Sequence, residues 1–378
     1  MDGDINVGTL QLAQTQPNGD AHTGEIFSCS YSPDGTTVLS AGWDGYLRLW
    51  DATSGEALAF VQAGLKPLSC CAFSPDGNSW LAGSMEGMLS FWDAAQLSKS
   101  SEFLAHTRPV SAITYAPGGK QFVTASWDRA ISLRTVGKER EGRSLSGHQD
   151  IVAGCCYTAD GRRMLSWSYD GTLRLWDMDF AREVSCLTGH EDRVTAAAVS
   201  PEGRWAVSGG RDRMLKLWDL HQGAEVGSWP QDAEVRGCYF LLDGAAFVTV
   251  DAGGRMFLLG VPGMDLRAEL RTHLQVMCGA RAPSGLQIAL GCEDGRVRFV
   301  QLEDVEQGSL LVTATQHFKE ETTLFTRLLG RTKTVRTFQY TCPACRRAVE
   351  SLTLPSEDFA CPDCGRPLRI AAQILQTV

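Results

Sequence analysis

Four cysteines close to the end of the chain are spaced for metal chemistry. The stretch "YTCPACRRAVESLTLPSEDFACPDCG" holds Cys342 and Cys345 as one CxxC pair and Cys361 and Cys364 as another, with 15 residues between the pairs. Each CxxC turn aims two thiolates at one point, and two such turns complete a tetrahedron with metal–sulfur distances of about 2.3 Å. Thiolate tetrahedra select zinc or iron over hard cations. One Zn2+ per chain is the expectation, with an iron site as the alternative. Four thiolates leave no position for water, so such a metal would be structural and not catalytic. A redox reading needs a neighbouring βαβ unit, and the sequence offers none. Gly365, directly after the second pair, suits a left-handed turn.

The other set that could do chemistry is Ser, His and Asp, which recur together. A nucleophilic triad occurs once, with its serine exposed in a cleft. Here the set returns every 42 residues, as the members of a satisfied buried network would. The elements that position it share that period. "SAGWDGYLRLWD", "AGSMEGMLSFWD", "SWSYDGTLRLWD" and "SGGRDRMLKLWD" place Trp50, Trp92, Trp176 and Trp218 at equivalent points. "TASWDRAISLRT" puts Arg134 at the missing midpoint, and Leu259 and Val300 continue the period, giving seven units. Each unit reads as a His-containing loop, a short apolar strand, a Pro/Asp/Gly turn, a second strand, an Asp-Gly-type turn and a third strand. Such punctuation predicts antiparallel all-β structure, without helical periodicity.

These residues resemble the WD40 family over about 18–316, with a period and GH/WD signatures specific to it. The resemblance implies a seven-bladed β-propeller of four-stranded blades. It also implies a structural tetrad in each intact blade. By spacing these are His22, Ser40, Asp44 and Trp50; His148, Ser166, Asp170 and Trp176; and His190, Ser208, Asp212 and Trp218. The third unit keeps His106, Thr124 and Asp128. The second keeps only Trp92, and Glu86 takes the Asp place. The last two units are degenerate, and packing alone is expected to hold them. Cys29, Cys71, Cys155 and Cys238 share one slot on the first strand, nearest the channel, where buried thiols act as small hydrophobes. Cys70–Cys71 and Cys155–Cys156 are strand neighbours and point to opposite faces.

The tail around the four cysteines resembles a zinc ribbon. A module of about 40 residues buries too little core to fold unaided, so the metal would supply its stability. The expected organisation is a propeller over 1–316, a connector over 317–337 with a short amphipathic segment, and the ribbon over 338–378. Residues 308–315 and 8–16 both read as strands, and they compete to close the seventh blade. The family's habit favours the N-terminal one.

The chain has 13 cysteines, an odd number that argues against a pure disulfide framework. No apolar run reaches the roughly 20 residues needed to cross a bilayer, and "MDGDINVGTLQLAQTQ" has no basic or apolar signal region. The expected location is therefore cytoplasmic, with no membrane partner. The net charge of −9 disfavours nucleic-acid binding over the whole surface. Residues 317–378 carry a balance of +3 and the rest −12. Arg327, Arg331, Lys333 and Arg336 form a basic cluster in the connector.

No catalytic constellation emerges. The leading expectation is a non-enzymatic scaffold that binds other proteins. The alternatives are a nucleic-acid adaptor acting through the basic connector and ribbon, and a propeller enzyme. Family members bind partners on the face that carries the turns between the second and third strands. Trp43, Met85, Trp127, Tyr169, Arg211, Ala252 and Glu293 precede those turns. Trp43, Trp127, Tyr169 and Arg211 have the residue types that dominate hot spots. The competing reading is that they merely cover the turn.

Overall fold

Turn chemistry divides the first three hundred residues into short strands. The computed structural model describes residues 9–12, 21–241, 244–285 and 287–303, and then 310–312, 315–321, 333–341, 348–351, 358–360, 362, 367–370 and 375–376. The chain divides into two compact units, Met1–Glu306 and Gln307–Val378.

The first unit is seven four-stranded antiparallel sheets. In blade one the strands are Ile26–Tyr31, Thr37–Gly42, Tyr46–Asp51 and Ala57–Gln62. The same order repeats through blade six, which ends with Leu266–Arg271. The innermost strands begin at Ile26, Leu68, Val110, Val152, Val194, Val235 and Val276, and each packs on the next in a closed ring. Every one carries a β-bulge directly after its first residue. A bulge re-aims the extra side chain, and three of these carry hydroxyls that donate to the next blade. Ser69 reaches the Val110 carbonyl (2.5 Å), Thr195 reaches that of Val235 (2.6 Å), and Ser111 reaches that of Val152.

Blade seven settles the competition between the two terminal strands. Its outer strand is Thr9–Leu12, antiparallel to Val297–Glu303, with Thr9 opposite Glu303 and Leu12 opposite Val300. The rival segment lies in the second unit. There Leu310–Val312 runs parallel to Pro367–Ile370, which pairs antiparallel with Asp358–Ala360. The propeller boundary expected at 316 therefore moves back to 306.

The other sheet of the second unit is ordered Ala348–Ser351, Lys333–Thr341, Thr315–Glu321, Leu375–Gln376. The connector expected to be partly helical is strand wherever it is described, at 317–321 and 333–337. Leu324, Phe325, Leu328 and Leu329, whose spacing suggested the amphipathic segment, lie outside the described residues.

The core lies between blades. Cys71 packs with Leu39, Ala41 and Leu47 of blade one, and Cys238 packs with Val207 and Leu217 of blade five. Cys29 faces Ala289 and Phe299 of blade seven. The shared cysteine slot thus fills the seam to the preceding blade. Cys70 faces the other way, its Sγ 3.5 Å from the Val110 carbonyl of blade three.

Blades that lack a full tetrad carry other polar contacts, and in blade seven these add to the packing that was expected to hold it alone. In blade two the Trp92 Nε1–H donates to Ser90 (2.9 Å), whose hydroxyl donates to the Ala82 carbonyl. In blade three Arg134 fills the Trp position. It is buried, donates to the carbonyls of Glu139 (2.6 Å) and Ala105 (3.1 Å), and lies 5.2 Å over Phe103. Blade seven has a bidentate Arg298–Asp294 pair. Blade six leaves the Thr249 hydroxyl buried without a partner.

Trp176→Ala is expected to cost about 3–5 kcal/mol, through lost burial and the Ser166 partner it removes. Arg134→Ala should cost about 1–3 kcal/mol, since it orphans two carbonyls without opening an aromatic-sized cavity. Denaturant unfolding of both variants checks the order. Equal losses would refute it.

Candidate functional site

The Ser-His-Asp sets are closed networks. In blade one Trp50 Nε1–H donates to Ser40 (2.7 Å), Ser40 meets His22 Nε2 (2.7 Å), and His22 Nδ1 meets Asp44 (2.8 Å). Blade four repeats this with Trp176 to Ser166 (2.8 Å), Ser166 to His148 (2.8 Å) and His148 to Asp170 (2.9 Å). Blade five does so with Trp218 to Ser208 (2.8 Å), Ser208 to His190 (2.7 Å) and His190 to Asp212 (2.7 Å). His106 holds Thr124 (2.8 Å) and Asp128 (3.0 Å) without a tryptophan. Ser40, Thr124, Ser166 and Ser208 are fully buried. A hydroxyl that accepts from an indole and donates to an imidazole has no free geometry for attack on a substrate.

The carboxylate end of each network also builds a surface. Asp44 accepts from the Thr23 amide at 3.1 Å, Asp128 from that of Thr107 at 3.1 Å, and Asp170 from that of Gln149 at 2.9 Å. A second tie fixes the residue before each turn. The amides of Trp43, Met85, Trp127, Tyr169, Arg211, Ala252 and Glu293 donate to the carbonyls of Glu25, Pro67, Pro109, Ile151, Arg193, Glu234 and Gln275, all at 2.8–3.0 Å. The seven expected face residues therefore occupy one equivalent position, one per blade.

Their side chains differ. Trp43 is 53% exposed and Trp127 38%, and Arg211 and Glu293 are also exposed. Tyr169 is half-buried beneath the Arg193 guanidinium, 4.8 Å from the ring centre. Met85 and Ala252 are half-buried. Leu65, in the loop between blades one and two, is 91% exposed.

Five stretches match the WD domain, G-beta repeat family: residues 14–51, 60–93, 97–133, 140–177 and 181–219. The first unit is a WD40-repeat propeller. A stretch of 60 residues is also 38% identical to Cross-pathway control WD-repeat protein 2 of Flammulina velutipes, over 16% of this chain and 19% of that protein. The matched stretches of the WD40 propeller end within blade five. Blades six and seven, where the tetrads fail, lie beyond them.

Sequence reasoning missed two features of the WD40 propeller. The turn after strand two takes a left-handed residue in every blade, and five blades supply glycine there, such as Gly45 at φ 77°. Blades three and five supply Arg129 (φ 72°) and Arg213 (φ 61°) instead, both exposed. An L-residue costs about 1–2 kcal/mol in that region. The signal was visible as "WDR" and "RDR" in place of "WDG". The second missed feature, away from the face, is the one exposed thiol among the described cysteines, Cys186. Burial pushes Cys70 and Cys156 up to about 12, which keeps them as thiols.

Cys342, Cys345, Cys361 and Cys364 lie outside the described residues, as do Arg327 and Arg331. What is described is the frame around them. Thr341 pairs with Ala348 and Ala360 with Pro367, so each CxxC falls in the connection of an antiparallel strand pair. That placement fits two knuckles with thiolate donors. Among the described residues, no three His, Cys, Asp or Glu side chains converge as metal ligands. No helix there is long and apolar enough to cross a membrane.

The networks make stability depend on pH. Burial pushes His106 and His190 down, and the carboxylates of Asp128 and Asp212 only partly oppose it. The unfolded imidazoles take up protons near pH 6.5 that the folded ones refuse, so stability falls as pH drops through 6.5. Burial raises Asp44, Asp128 and Asp170, but bonds from their histidines and nearby amides outweigh it and leave them below 3.8. A second loss follows below that pH. Calorimetry should show a thermal midpoint level from pH 8 to 7, lower at pH 5 and lower again below pH 4. An unchanged midpoint at pH 5 would contradict neutral His106 and His190 in their networks.

Proposed function

We propose that the propeller is a non-enzymatic scaffold that binds another protein on the face carrying Trp43, Trp127, Tyr169 and Arg211. The observation that carries this reading is the exposure of Trp43 and Trp127 at a position whose backbone is fixed in all seven blades. A rigid aromatic with a preset backbone loses little entropy on binding, and large aromatics and Arg dominate interface energetics. Trp43 leans on Phe27, with ring centres 5.7 Å apart, much as Phe60 on the outer strand of blade one leans on Tyr46. Burial of the Ser, His and Asp groups in structural networks argues against an enzyme.

We further propose that the tail binds one structural Zn2+ through Cys342, Cys345, Cys361 and Cys364. The strand pairs that bracket each CxxC support this, as does the thiolate-only donor set. The ion would clip the two connections together and offer no open coordination position.

Trp43→Ala and Trp127→Ala should leave thermal unfolding within about 1 kcal/mol of the parent, because neither opens a core cavity. Together they should weaken association with a captured protein partner by tenfold or more, about 1.4 kcal/mol. If the variants unfold, these residues are packing groups and the face is misassigned. Elemental analysis of protein purified under reducing conditions should give one zinc per chain, and Cys361→Ser should bring it near zero. Metal-free parent protein would refute the clip. The propeller's own unfolding transition should persist in Cys361→Ser.

A further inference from the structure

We infer that the part of this face contributed by blades three to five docks an acidic, carboxylate-rich segment of the partner. The inference rests on the scaffold reading and adds the chemistry of what is bound. Arg129, Arg193, Arg211 and Arg213 all project from the turns and loops of these blades and are exposed. Among the described residues none of them forms an ion pair, whereas Arg174 and Arg204 of blades four and five pair with Glu183 and Asp219, and Arg236, Arg255 and Arg298 of blades six and seven pair with Glu234, Glu269 and Asp294. These arginines stand on a chain whose net charge is −9.

Two of the four hold the left-handed turn position that glycine fills in the other five blades. A strained residue that the fold does not need points to a role beyond folding. The residues are also contiguous. Arg129 Nη1 donates to the Gln149 carbonyl (3.4 Å), and two residues on the Ile151 carbonyl accepts from Tyr169. Arg193 stacks on Tyr169 at 4.8 Å, and its carbonyl accepts from the Arg211 amide at 2.8 Å. The guanidinium fork grips carboxylates bidentately, and exposed Trp127 offers an apolar contact beside it.

A protein segment fits this arc better than a nucleic acid. Exposed Asp150, Glu191 and Asp192 interrupt the arginines in the same loops. Evenly spaced phosphates would meet those carboxylates, while a peptide can place its acidic side chains only where the arginines are.

The test is selection of a random-peptide display library on the intact chain. The recovered peptides should be rich in Asp and Glu, and their affinity should fall with salt. The double variant Arg129→Gly/Arg213→Gly should bind them about tenfold or more weakly, with a thermal midpoint equal to or above the parent's. A purely structural role for these arginines would not give weaker binding in a protein at least as stable. The inference is overturned if the peptides are neutral or basic, if none is recovered, or if the double variant binds them equally. It is also overturned if oligothymidylate displaces the peptides at lower concentration than poly-glutamate. Trp43→Ala distinguishes the two levels. If it weakens binding while the arginine variant does not, the scaffold face stands and its acidic specificity falls. If neither weakens binding, both fall.

Discussion

The seam between blades one and seven is the constraint on which the remaining structure depends. A single four-stranded blade buries neither face, and its neighbours on both sides supply the rest of the core. Six such seams join residues close in sequence. The seventh joins Ile26–Tyr31 to Val276–Arg281, with Cys29 Sγ and Cys278 Sγ 3.8 Å apart and the His22 amide bonded to the Gly295 carbonyl. Pairing of Thr9–Leu12 with the far end of the propeller ties the seam shut. Closure leaves each blade only short, protected edges, and it fixes the turns of all seven blades as one rigid surface.

Within that ring the tetrads and the face are two ends of one device. The indole anchors the serine inside the blade, the serine orients the imidazole, and the imidazole holds the aspartate at the turn. The aspartate then accepts from the loop that enters its own blade. The exposed position before the turn is held by its own backbone amide, in blades with and without the tetrad alike, and needs no contribution from its side chain. That side chain is free to vary, which is how tryptophan, methionine, tyrosine, arginine, alanine and glutamate can all occupy it.

Much of this was legible in the residues. A period of 42 with Trp and Asp at fixed offsets gave the blade count, and the His-to-Asp spacing of 22 gave the hydrogen-bonded sets, because both are local and recur. What escaped notice was non-local or a matter of exchange. Nothing in "TASWDRAISLRT" says that Arg134 will turn inward to two carbonyls. The propeller boundary was drawn ten residues late because Leu310–Val312 reads as a strand in either unit, and only its partner, Pro367–Ile370, decides between them. The cysteine slot was legible as small and buried, but a strand pattern of period two does not say which neighbouring blade each of its two faces meets.

The closing strand also sets a schedule for synthesis. Thr9 leaves the ribosome about 300 residues before its partner Glu303. At roughly 5–20 residues per second, that is an interval of about 15–60 s in which blades one to six are made while the strand that will complete the ring has nothing to pair with. Throughout that interval Thr9–Leu12 has an unpaired backbone edge, and the nascent chain carries two unfinished blade faces. Blades can form in order as they emerge, but the last cooperative step waits for the final strand of blade seven. A truncation anywhere before it would therefore remove the partner of Thr9–Leu12.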